Sequence, residues 1–242
     1  MGFPSYVHSI LPDSDESAWP VQGQGVNECG CTVAANALNL LVGRKQFEKD
    51  DFVREAGIFF NRGMGGTPSP ITAHLIKRHG FGTHFGNLTY TDAELVLRHL
   101  IDLGVPVSIE IGSNRVGPWV IYGQHAMLLV GYSDPYRDAD GVLREEYYFV
   151  DSQWPEIGKF NLNDNNVTVN GHTTYYPGNR TMSREEFLRQ YETRIYFPVF
   201  RSQADHDAWY ATYMRPVPSV PLIGRVRSAF FTGSYDAWVG RR

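Results

Sequence analysis

The spacing of the apolar residues changes period once along this chain, near residue 105, and that change restricts the folds open to it. From Gly30 to Leu41 small and apolar residues recur at helical spacing, with Val33, Ala34, Ala37, Leu38 and Leu41 on one side, which predicts a central, buried helix. A second helix is expected over 47–56, with charge on its outer face. A third opens at Ser69-Pro70, a cap followed by proline, and stops at Gly80 after His79. A fourth starts at the capping box Thr91-x-x-Glu94, carries Ala93, Leu95, Val96, Leu97 and Leu100, and ends near Gly104. Beyond that point the pattern reads as strands. Residues 105–111 alternate apolar and polar as a half-buried strand should, 126–132 form a continuous apolar run, and 146–150 and 194–200 supply two more. A fifth helix, 183–190, opens with the capping box Ser183-x-x-Glu186. Helices followed by strands predict an α+β fold, an N-terminal helical lobe packed on an antiparallel β-sheet with a cleft between them.

The 242 residues, 42% hydrophobic and 20% charged, suit one domain with appendages better than two domains. The expected division is an extension over 1–20, a domain over 21–200, and a C-terminal helix and tail over 201–242. A net charge of −4, with no repeat, zinc-ligand grid or phosphate loop, gives no case for nucleic acid. A small substrate, a peptide or a protein partner remains. The first twenty residues have neither a basic stretch nor a long apolar run, so a cytoplasmic location is expected, with both thiols free. Three Asn-x-Thr matches, at Asn87, Asn166 and Asn179, are then chance occurrences.

The only two cysteines, Cys29 and Cys31, stand one residue apart where the first helix begins. That spacing does not bring two sulfurs into ordinary disulfide geometry. A thiol at a helix N-terminus is stabilised as thiolate by the free N–H groups and the dipole. His125 heads the apolar strand, Asp151 ends the following one, and antiparallel neighbours bring those ends together. Cys29, His125 and Asp151 therefore form a candidate nucleophile, base and orienting carboxylate.

The same residues resemble the papain-like cysteine peptidases: a glutamine, Cys29-Gly30 at a helix start, His125-Ala126 followed by Gly131-Tyr132, and Asp151-Ser152-x-Trp154. The helix pair ahead of the strands and the aspartate as third member look closer to the bacteriocin double-glycine-leader-processing peptidases and their standalone bacterial relatives. The resemblance covers roughly residues 20–200. It implies a thiol hydrolase acting on a peptide bond of a peptide or protein substrate, with no cofactor and no metal. It also implies an oxyanion-hole glutamine six residues before the nucleophile. Gln22 lies seven before Cys29 and Gln24 five before, so either one fits. Papain-like enzymes carry Cys-x-x-Cys ending in the nucleophile, which makes Cys31 a rival; the helix-mouth position favours Cys29. The same triad serves an acyltransferase, transpeptidase or deamidase, and a catalytically silent binding module of the same fold is the third reading.

Trp154 is expected either to shield the His–Asp pair from water or to be an ordinary core residue. His79 ends a helix, His99 lies on a helix face, and His8, His84, His172 and His206 have no partner spacing. The polar stretch 161–180 contains Asn170-Gly171, a hairpin signal. In the tail, five arginines from Arg215 onward against Asp236 give +4, leaving −8 on the rest. The tail is expected either to wrap its own acidic domain or to dock on a membrane or protein partner.

Overall fold

The computed structural model describes residues 2–13, 16–61, 63, 66–116, 119–169, 171–227 and 232–240. Asn170 of the hairpin signal, and Arg241 and Arg242 among the five tail arginines, lie outside the described residues. The chain forms seven helices and a nine-stranded mixed sheet among them. The helices are α1 (Cys29–Val42), α2 (Lys49–Ala56), α3 (Ser69–Arg78), α4 (Ala93–Asp102), α5 (Arg184–Gln190), α6 (Gln203–Tyr213) and α7 (Leu222–Arg227). The strands are β1 (Val7–Ser9), β2 (Gly86–Asn87), β3 (Val107–Ile111), β4 (His125–Ser133), β5 (Glu146–Val150), β6 (Arg180–Ser183), β7 (Ile195–Pro198), β8 (Met214–Pro216) and β9 (Ser234–Trp238).

Across the sheet the order is β6-β5-β4-β3-β7-β2-β9-β8, with β1 also paired to β4. Every pairing is antiparallel except β9 with β2, so the sheet is mixed rather than wholly antiparallel. The segments before residue 21 and after residue 200 both place strands in this one sheet. The tail's β9 joins it beside β2, with Tyr235 and Asp236 buried.

The helices do not form one lobe. Ala34, Leu38, Phe52, Leu75 and Ile76 of α1 to α3 pack with Ala126, Leu128, Val130 and Val150 on one face of the sheet. Val96, Leu97 and Leu100 of α4, with Phe187 of α5, pack with Ile109, Met127, Leu129 and Phe149 on the other. The alternation in β3 is genuine, but helices cover both of its faces, so all five residues are buried and the expected half-buried strand is corrected. Ser108 and Glu110 point to the α1 side, where the Glu110 carboxylate accepts from Ser69 Oγ and, at 2.9 Å, from Gly123 N–H.

Local signals account for most element ends. Gly43, at φ 72°, caps α1 in the left-handed conformation and donates to the carbonyls of Asn39 and Leu40. Burying a side chain such as Leu38, fully enclosed on this helix, contributes about 1.5–3 kcal/mol. Ser183 caps α5 as expected, its Oγ accepting from Glu186 N–H. Two expected caps shift by one residue. The cap of α4 is Asp92, which accepts from Leu95 N–H, because the Thr91 hydroxyl is taken by Trp238 N–H of β9. At α3 the cap position is Pro68, and Ser69 Oγ is committed to Glu110 instead.

The expected hairpin over 161–180 is present as Val167–Val169 paired with His172–Thr174. Two of the histidines without sequence partners find each other in space. His84 Nδ1 lies 2.7 Å from His206 Nε2, and His84 Nε2 lies 3.0 Å from Asp236 Oδ2, tying α6 and β9 to the loop before β2. Among the described residues no helix is long and apolar enough to cross a membrane.

Candidate functional site

The approach to Cys29 is a tight polar turn. Asn27 adopts φ 59°, a left-handed conformation that asparagine tolerates better than most residues. Glu28, almost fully buried, folds back so that its Oε2 accepts from Gly25 N–H at 2.7 Å and pairs with Lys49 Nζ at 2.6 Å. Its side chain makes no capping bond to the first turn of α1. Cys29 is the first residue of α1 and is half-buried.

His125 begins β4, opposite Ile111 of β3, and Asp151 follows the last residue of β5. Their side chains meet: His125 Nε2 is 2.7 Å from Asp151 Oδ1. With Nε2 engaged by the carboxylate, the other ring nitrogen stays free of Asp151, and the Cys29 side chain is near enough to act on the imidazole. Burial alone would push the imidazole below its ordinary value of 6.5. Asp151 and Cys29 together outweigh it and raise the pKa to about 9. Asp151, 2% exposed, moves the opposite way. Burial pushes its carboxyl up, but His125, Arg180 and the Gln153 N–H hold it below the usual carboxylate range.

Two residues that the sequence did not mark as part of the site hold Asp151, one at its carboxylate and one at its backbone. Arg180 Nη1 donates to Asp151 Oδ2 at 2.8 Å, and its guanidinium carbon lies 4.7 Å from the centre of the Trp154 ring. Asn179, fully buried, accepts from Asp151 N–H at 2.8 Å and donates back to Asp151 O at 3.0 Å. That donation occupies the amide a glycan would need, in keeping with a chance Asn-x-Thr match. The available signal was the approach of β6 to β5, with Arg180 registered against Phe149, two residues before Asp151. Trp154, 38% exposed, is therefore not a core residue; it stacks on the arginine that pairs with Asp151.

The two glutamines part company. Gln22 is spent on structure, its Nε2 donating to Phe47 O and its Oε1 accepting from Lys49 N–H. Gln24 sits beside the Asp151 turn: its Oε1 accepts from Ser152 Oγ at 2.6 Å, its backbone N–H donates to Ser152 O, and its Nε2 reaches Gln153 Oε1 at 3.3 Å. Cys31 faces inward, with no exposed surface and its Sγ 3.2 Å from Thr67 Oγ1; burial pushes its thiol up to about 11. Among the described residues no three His, Cys, Asp or Glu side chains are grouped to hold a metal ion. No protein-family model matches the chain, and no curated protein matches it at a significant level.

Proposed function

We propose that the protein is a papain-like cysteine peptidase that cleaves a peptide bond through a thioester intermediate. The observation that carries the reading is Cys29 at the first residue of α1, near enough to His125 to help raise its pKa, with that imidazole 2.7 Å from a buried, ionised Asp151. In this mechanism the Cys29 thiolate attacks the substrate carbonyl carbon and the carbonyl oxygen takes up the electron pair. The Cys29 backbone N–H and Gln24 Nε2 stabilise that oxyanion. The His125 imidazolium then gives its proton to the leaving amine as the C–N bond breaks. Water, deprotonated by the same imidazole, attacks the thioester and releases the acid and the thiol. Asp151 holds the ring in position throughout.

The test is incubation of a mixed peptide library with the protein and with Cys29→Ser, read by mass spectrometry. New peptide ends with the wild type alone support the reading. The same ends from both proteins, or from neither, contradict it. Products joined to an added amine at the expense of free acids would assign acyl transfer instead.

A further inference from the structure

The orienting member of this site carries a full negative charge inside the protein. That charge is answered by Arg180. His125 occupies Asp151 Oδ1 and Arg180 occupies Oδ2, so one carboxylate is shared between two cations on separate oxygens. The guanidinium is enclosed, with its side chain 16% exposed, the Trp154 ring over it, and Met127 Sδ 3.6 Å from Nη1. Solvent therefore screens it far less than an ordinary surface pair. The neighbouring charged groups do not replace it: Glu28, next to Cys29, is paired with Lys49. Glu110, on β3, is buried with its carboxyl pushed up by burial and bonded to Ser69 and Gly123. Thiolate, imidazolium, carboxylate and guanidinium then sum to zero.

We propose that Arg180 is the counter-charge of the site, a positioning residue that neutralises Asp151 and thereby limits how tightly His125 holds its proton. This inference rests on the peptidase reading of the Cys29–His125–Asp151 site. Without Arg180, His125 would be the one cation on Asp151, beside the neutral Gln153 N–H, and the imidazolium would become a poorer proton donor to the leaving amine.

The experiment follows the His125 ring by NMR across pH in the Cys29→Ser background, which removes the coupled thiol titration. Arg180→Gln should raise the His125 midpoint by about one pH unit, the effect of losing a partly buried unit charge nearby. Arg180→Lys keeps the charge and should leave the midpoint within a few tenths of the parent, as expected of a charge rather than a shape effect. A fall in the midpoint with Arg180→Gln would mean that Arg180 only props Asp151 in place, and an unchanged midpoint would mean that its charge is not felt; either overturns the proposal. If Arg180→Gln does not fold, Asp151→Asn and the Asp151→Asn/Arg180→Gln pair replace it. The pair should titrate above Asp151→Asn alone, and equal midpoints overturn the idea. The peptidase reading fails separately, by slow alkylation of wild-type Cys29 at acidic pH, an outcome on which this titration does not depend.

Discussion

Replacing Asp151 by asparagine keeps the shape of the site and removes its charge. In the native site His125 holds its proton to about 9 against an ordinary 6.5, a gap of about 3 kcal/mol of preference for the imidazolium in the folded state. Burial opposes that preference and only Cys29 would still support it, so without the carboxylate the midpoint should fall well below 9, toward 6.5. At pH 7.5 the ring should pass from almost wholly protonated to mostly neutral. The sign for stability follows from a pKa raised on folding. The stabilisation is fully present below 6.5 and is lost as pH rises through about 9. Asp151→Asn should therefore cost more at pH 6 than at pH 9.5, the two costs differing by up to about 3 kcal/mol. The constant penalty of leaving Arg180 unpaired cancels in that comparison. Urea unfolding of both proteins at the two pH values measures it. A cost that is equal at both, or larger at pH 9.5, would refute the reasoning.

Other substitutions separate chemistry from scaffold. Gln24→Ala should lower kcat by roughly 10²–10³ with little change in KM, as expected for an oxyanion donor, whereas Gln22→Ala should leave kcat alone and cost about 1–3 kcal/mol in a denaturant titration, since it strands Lys49 N–H and leaves Phe47 O with Asn39 Nδ2 alone. Gly178→Ala should destabilise by about 2 kcal/mol or more and lower activity. Gly178 has φ 75°, and an added methyl would lie 2.1 Å from Phe149 O just ahead of Asn179 and Arg180. Cys31→Ala should leave Cys29 alkylation unchanged and lower the thermal midpoint by only a few degrees, about 1 kcal/mol.

The parts of this molecule that were readable in sequence are those governed by local rules. The helical period of α1, the Ser183 cap of α5 and the strand at 146–150 depend on neighbours within a turn or a strand, and each appears where it was expected. What escaped depends on residues far apart in the chain. Thr91 is a good cap in isolation, but Trp238 claims its hydroxyl from 147 residues away. The burial of Glu110 and the choice of α4 for the opposite face follow from which surfaces of the sheet are covered, a property of the assembled layers. At the site, the contact of His125 with Asp151 was legible because one antiparallel pairing joins them. Arg180 and the contrast between Gln22 and Gln24 were not, because they depend on β6 and on the loop to α2.

The central claim is an activated thiolate at Cys29 paired with His125. Limiting iodoacetamide across pH 4 to 9, with Cys29 and Cys31 quantified separately by peptide mass spectrometry, tests it in the wild type and in His125→Ala. Fast labelling of Cys29 at acidic pH, lost in His125→Ala, while Cys31 stays unreactive, is the predicted result. Slow labelling of Cys29 that begins only above pH 8 and is the same in both proteins would contradict the account.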